Sequence, residues 1–373
     1  MEEGAGLNSE VSARGKKFHV QTNYLEPVEK IISNIFDNGK VIYKKELQIE
    51  DNFSTESVKE LVDTIHKEMV AEIELLFYIS EKVRTIKHAI SNNKLGVVFY
   101  QKNLYEEAIT EFKTAIEIDP EFAEAYKNLG FLYLKNNQFS EASETLKIGL
   151  QKQSNYPDLH YVLGCVFVKQ QSYVDAISEF NAAIKLNPDY AEAHFNLGLG
   201  LLQSIVEGIE NKQLPNIQER KNMAISHLQK AESFVDSDRL IEAYEYFNED
   251  DINKTVDILD RVKEDSHEKL RTDIEDEFYL KFMFGGKGKD DEFINDYVTK
   301  VKAAIEKHPK YADLRNDLGI AYLIQCRNLF LNALDEFRQA QKINPDFKNA
   351  KKNLRLAEND GRGFLILLRA ILK

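Results

Sequence analysis

The chain of 373 residues has no tryptophan, only two cysteines, seven prolines and eight histidines. Cys165 and Cys326 stand far apart, so neither a disulfide framework nor a CxxC metal or redox motif can be built, which fits a reducing compartment. Nowhere do eighteen apolar residues run together, and Met1 to Lys17 is polar, without the apolar core that a secretory signal needs. Basic residues are outnumbered, 49 against 62 acidic, and a formal charge of -13 argues against nonspecific binding to a phosphate backbone. The expectation is a cytoplasmic protein with no direct membrane span and no nucleic-acid partner.

Catalytic signatures are missing too. The histidines are scattered and form no HExxH or Cys/His cluster, and no GxSxG occurs. Phe284-Gly285-Gly286-Lys287-Gly288-Lys289 has the look of a phosphate cradle, but a P-loop requires Ser or Thr after its Lys, and here Asp290 and Asp291 follow. Acidic runs such as Asn248-Glu249-Asp250-Asp251 lack the spacing of a calcium loop and read as helix starts and solvated faces. No enzyme, cofactor or metal is therefore expected. The rival is an enzyme whose site lies in the irregular stretch from Phe234 to Lys300.

What the chain does have is a period. Leu95-Gly96, Leu129-Gly130, Leu163-Gly164 and Leu197-Gly198 recur at 34-residue steps, and Ala108, Ala142 and Ala176 repeat the step. Ala115, Gly149 and Ala183 follow in phase, and Pro120 and Pro188 close two of the units. Within a unit, Leu95 with Phe99, then Ala108, Phe112 and Ala115, fall at helical spacing, which predicts two short amphipathic helices. The Gly and Ala positions are small where those helices must approach closely. One such unit cannot bury its stripe alone, so neighbours must stack. This pattern resembles the tetratricopeptide repeat (TPR), whose period is 34 residues of helix, turn, helix.

The resemblance implies a mainly α fold, a TPR-like solenoid of about seven helix pairs with the fifth and sixth degenerate. Regular repeats cover residues 89–203 and an insertion follows at 204–222, expected as a lengthened helix and a loop around Gly208 and Pro215. Degenerate pairs occupy 223–309, with Pro309 closing the second of them, and a clear final repeat occupies 310–349 through Leu318-Gly319, Tyr322, Ala333, Phe337 and Ala340. Residues 350–373 are expected as a capping helix, with Gly361-Arg362-Gly363 setting apart the apolar segment Phe364 to Leu372. Before the repeats, residues 1–15 read as a disordered tail, and residues 16–88 as a three-stranded antiparallel meander plus a long helix. Asn38-Gly39 between two β-rich runs is its hairpin turn, and Ser54-Thr55-Glu56-Ser57 starts its helix.

The resemblance also places a concave surface on the first helix of each pair. Counting positions by the family's repeat, Val97, Tyr100, Phe131, Tyr161, Phe195 and Leu199 become apolar anchors there, beside Lys127, with Asn128 and Asn196 able to hold a peptide backbone. Chaperone-binding members carry a clamp of Lys and Asn for two carboxylates. Asn128 fits its middle element, but Asn93, Val97, Asp158 and Val162 replace the rest, so that reading is rejected.

Three aromatic anchors at about 2 kcal/mol each, less the ordering of a peptide, point to micromolar binding. The expected function is thus a non-catalytic scaffold holding an apolar peptide or helix of a partner protein. Alternatives are a groove filled by the chain itself, and a regulatory or assembly subunit of an envelope, secretion or motility machine docking through its C-terminal segment. The β module could add a homodimer edge.

Overall fold

A computed structural model describes residues 6–49, 53–231, 237–265, 274–307, 312–346 and 348–371. The chain forms two compact units, one of Met1–Met69 with Val83–Thr272, the other of Val70–Lys82 with Asp273–Lys373. Among the described residues it is mostly helical, with one small antiparallel sheet.

The first unit opens with four strands in the order β1 (Gly6–Ala13), β2 (Lys16–Leu25), β3 (Lys30–Asp37) and β4 (Lys40–Gln48), each antiparallel to the next. Asn38 and Gly39 take φ of 47° and 80°, the left-handed pair that a tight hairpin requires. The sheet thus has four strands and not three, and β1 takes the place of the disordered tail expected from residue 6 onward. Residues 1–5 lie outside the described ones. Its turn is Arg14-Gly15, at φ of 51° and 76°, the same geometry with a less obvious first residue. As an edge strand β1 fully buries only Val11, so its polar sequence hides the alternation.

Helix α1 (Thr55–Ile86) is started by Ser54, whose side chain accepts from the Ser57 backbone N–H at 3.1 Å. Its first half covers the sheet, with Val58, Val62 and Ile65 buried, as are Phe18, Val20, Ile31 and Ile35 of the strands. A polar chain runs through that core. Thr22 and Ser33 share a hydrogen bond of 2.6 Å across the sheet, and His66 meets Thr22 at 3.0 Å and Ser9 at 2.8 Å. Burial holds the His66 imidazole below its usual pKa, so it stays neutral with one nitrogen to donate and one to accept.

Four helix pairs follow: α2 (Ala89–Gln101) with α3 (Tyr105–Ile118), α4 (Ala123–Lys135) with α5 (Phe139–Lys152), α6 (Pro157–Lys169) with α7 (Tyr173–Leu186), and α8 (Ala191–Val206) with α9 (Ile217–Lys230). Asn103, Asn137 and Gln171 enter the left-handed region 34 residues apart, at φ of 54°, 59° and 58°. Each turn closes on the same backbone bond, Leu104 N–H to Phe99 O, Gln138 to Tyr133 and Ser172 to Phe167, all at 2.9 Å. In the fourth pair Gly208 takes that role after a longer α8 and a loop follows, as the insertion predicted. A Cβ on Gly96 would sit 2.6 Å from the Phe112 ring, and one on Gly164 equally close to Phe180, so the small residues are indeed set by helix approach.

The fifth pair, α10 (Ser237–Asn248) and α11 (Ile252–Asp265), completes this unit.

The second unit contains α12 (Ile274–Met283), α13 (Asp291–Lys307), α14 (Ala312–Ile343) and α15 (Lys348–Ile371), together with the middle of α1, where Lys281 meets Glu72 at 2.8 Å. Phe278 stacks on Tyr297 at 3.8 Å within a core that includes Val301 and Ile324. The lysine- and glycine-rich stretch is a short turn in which Lys287 pairs with Asp290, and Asp290 in turn caps α13 through the Phe293 N–H.

Two expectations fail here. The final repeat is a single 32-residue helix, α14, and not a helix, turn and helix. At the place of the turn stand Arg327 and Asn328, which bond outward to Gly288 O and to Asp291 instead of entering a left-handed conformation. Gly319 accordingly has nothing within 4 Å of a would-be Cβ. Residues 361–363 likewise do not separate two segments, because α15 runs through them; a helical Gly costs about 1 kcal/mol and need not end a helix. The side chains of 364–373 and the closing position of Pro309 lie outside the described residues.

Candidate functional site on the inner helix row

The first helices of successive pairs pack on one another, α2 on α4, α4 on α6 and α6 on α8, forming an inner row. Val97, Asn128, Phe131, Tyr161, Phe195, Asn196 and Leu199 are all buried on this row, Phe195 completely, whereas Tyr100 and Lys127 are half-buried. The structure therefore brings the nine predicted residues to consecutive helices but leaves only two of them partly open to solvent. Tyr100 meets Phe131 edge-on at 6.1 Å, and the Lys135 ammonium lies 5.0 Å from the Phe131 ring centre. Tyr161 lies 5.1 Å from the Tyr190 ring, whose hydroxyl is held far above its usual pKa by burial and by Asp158.

The two asparagines join neighbouring helices. Asn128 donates from Nδ2 to Asn93 Oδ1 at 2.9 Å, and Asn196 donates to the Tyr161 hydroxyl at 3.2 Å. Both contacts span 35 residues, linking the sixth position of one unit to the fifth of the unit before. A spacing of one period plus one was visible in the sequence and could have exposed them. Beyond α8 the row changes character. The helix that packs on α8 is α11, the second of its pair. Lys263 donates to Asn196 Oδ1, and Gln203 donates to Asp260 at 3.1 Å. Burial raises the Asp260 pKa, an effect opposed by the Gln203 bond and by Lys263 and Lys169.

Opposite the row a second repeated position explains the histidines. Tyr126 donates its hydroxyl to Pro120 O at 3.1 Å, His160 Nε2 lies 3.2 Å from Ser154 O, and His194 Nε2 lies 2.9 Å from Pro188 O. Each side chain thus ties its helix to the carbonyl six residues earlier, across the inter-repeat turn. The other ring nitrogen finds equivalent places on the second helix: His160 Nδ1 meets Glu179 at 2.6 Å and His194 Nδ1 meets His227 Nδ1 at 2.7 Å. The bond to Glu179 lifts the His160 pKa, while burial and the neighbouring His194 and Lys230 push His227 down to about 4.

Among the described residues, no group of three or more His, Cys, Asp or Glu side chains is placed to hold a metal ion, and no helix is long and apolar enough to cross a membrane. Cys165 is buried and Cys326 exposed.

A row of paired helices with this turn, these glycines and this period defines a class of helical repeat protein. Residues 96–137 and 164–203 match the family of the TPR repeat, so the chain carries tetratricopeptide repeats. Among solved structures it is similar to MamA (19% identity, 48% of this chain and 93% of that one, TM-score 0.36). It is also similar to YrrB, a TPR protein with an unusual peptide-binding site (20% identity, 53% and 96% covered, TM-score 0.36). A third is a thermophilic TPR protein of Thermus thermophilus, TTC0263 (21% identity, 63% and 99% covered, TM-score 0.32). No curated protein matches the sequence.

Proposed function

We propose that the protein is a non-catalytic interaction scaffold whose inner helix row holds a helix or apolar peptide of a partner protein. The observation that carries this reading is the way in which the fourth unit is occupied. Side chains at inner positions of α8, Asn196 and Gln203, do not close their own helix pair but hold the polar side chains of another helix. The row therefore has the chemistry to grip a helix laid on it, an apolar floor with amide groups above, which is the recognition mode of a helix in a groove. On α2 and α4, Tyr100 and Lys127 are the two predicted contacts that remain partly exposed.

They also make the better test. Phe195 is fully buried, and a charge placed there would unfold the unit before it could report on binding. A Tyr100→Glu, Lys127→Glu variant leaves the fully buried residues of the row in place. Its helicity should equal that of the wild type by circular dichroism, and binding of an amphipathic helical peptide, measured by fluorescence anisotropy, should weaken by tenfold or more, on the order of 1.4 kcal/mol. Unchanged affinity for a peptide that the wild type does bind would remove these two residues from the binding surface.

A further inference from the structure

The helix seated on α8 shows what the inner row accepts. In the regular part of the stack the neighbour of a first helix is the first helix of the next pair, but on α8 it is α11, a second helix, so the order of the fifth pair is swapped. This helix is strongly two-faced. Val256, Leu259 and Val262 are buried, and on their flank Asp260 and Lys263, three residues apart, reach Gln203 and Asn196. Asp260 also lies within the field of Lys169, which holds the same repeat position in α6 as Gln203 does in α8. Burying a carboxylate stabilises this arrangement only when the hydrogen bonds and charge opposite are good, so the contact selects for a helix of that polarity and charge order.

We propose that α11 is a built-in occupant of the C-terminal end of the inner row, and that the row's external ligand is an amphipathic helix with the same pattern, an acidic residue three positions before a basic one beside an apolar stripe, which binds by replacing α11. This rests on the scaffold reading above and specifies its ligand. A partner must compete with a tethered helix, whose effective concentration is high, so the wild-type protein binds such a helix weakly and a weakened α11 contact opens the site.

The test uses the full chain and a fluorescein-labelled peptide of residues 251–265. Asp260→Ala with Lys263→Ala weakens the hold on α11 from one side. Gln203→Glu weakens it from the other, by setting a carboxylate against Asp260, and so guards against a fold defect confined to α11; this variant is titrated with the peptide in its Asp260→Asn form, which the new carboxylate does not repel. Anisotropy titrations should show both variants binding the peptide at least about tenfold more tightly than the wild type, with faster amide hydrogen exchange in α11 but not in α6. If α11 stays protected in both variants and no peptide binds, α11 is a fixed part of the solenoid and the exchange is refuted, while the scaffold reading still stands on Tyr100 and Lys127. If α11 is released and the uncovered row still binds no peptide, the scaffold reading falls with it. Wild-type affinity as high as that of the variants also overturns the proposal, because no occupant would then be competing.

Discussion

The two histidine pairs predict opposite responses to acid from equivalent places in the stack. His227 has its pKa lowered from 6.5 to about 4, first by burial and then by His194 and Lys230. A histidine whose folded pKa is depressed contributes stability that is present above its unfolded pKa and is lost as pH falls from about 6.5 towards 4. The drop from 6.5 to about 4 corresponds to about 3–4 kcal/mol before solvent screening, at about 1.36 kcal/mol for each pH unit. The ring is only half-buried, and solvent screening reduces this to about 1–2 kcal/mol. His160 has its pKa raised by Glu179, so its contribution is present at low pH and lost as pH rises through the folded value.

Urea denaturation at pH 5, 6, 7 and 8 would separate the two, with His227→Gln as the variant that keeps a hydrogen-bonding side chain but cannot take a proton. The stability difference, wild type minus variant, should fall by about 1 kcal/mol between pH 7 and pH 5. Taking the difference cancels His66, which titrates in the same direction. His227→Glu should do more, because it recreates at His194 the acid partner that His160 has in Glu179. With that variant the difference should fall further still, because the variant itself gains stability between pH 8 and pH 6 while the wild type loses it. A difference that stays flat from pH 8 to pH 5 would show that the pair is not set apart from water in the way the geometry requires.

Two further outcomes follow from packing. Gly164→Ala pushes a methyl group against the buried Phe180 ring and should cost about 1–3 kcal/mol, whereas Gly319→Ala, with open space beside it, should be neutral or stabilise by up to about 1 kcal/mol; thermal melts of the two variants test the contrast. Asn128→Ala leaves Asn93 Oδ1 without its donor and should cost about 1–2 kcal/mol, and a double-mutant cycle with Asn93→Ala should return a coupling near 1 kcal/mol; a coupling of zero would mean that the amides do not join the two helices.

Much of the fold was legible because repetition tests each assignment several times. One Leu-Gly pair means little, but four in phase with alanines require a helix pair at each step, and the insertion after Ser204 showed itself as a break in that phase. The first strand escaped for the opposite reason. An edge strand with one fully buried side chain carries almost no periodic signal, and Arg14-Gly15 is a hairpin turn that lacks the customary Asn. The predicted site residues did fall on consecutive inner helices, but Asn196 meets a distant element, α11, and a local pattern cannot show which helix will lie on another. The asparagines show the limit clearly: an amide at an inner position suits a peptide backbone and a neighbouring helix equally, and only the 35-residue contacts reveal that their Nδ2 groups serve the second.

The failure of the last repeat shows what the TPR signature encodes. Leu318-Gly319 and the later Ala333 and Ala340 match the regular units, yet α14 never folds back on itself. A small residue permits close approach of a second helix without compelling it, and the turn is compelled by a residue that can enter the left-handed region where the helix must stop. Asn103, Asn137, Gln171 and Gly208 do this in the four regular pairs. In α14 the residues at that place are engaged elsewhere, Asn328 by Asp291 at 3.0 Å and Arg327 by Gly288 O at 3.2 Å, and these bonds favour the straight helix. If that is the cause, removing both side chains and supplying a turn, as in an Arg327→Asn, Asn328→Gly variant, should lower the helicity of α14 around the substituted site. Site-specific hydrogen exchange would detect it as a local loss of protection spanning about one turn, and unchanged protection there would mean that packing against α13 and α15 alone keeps the helix straight.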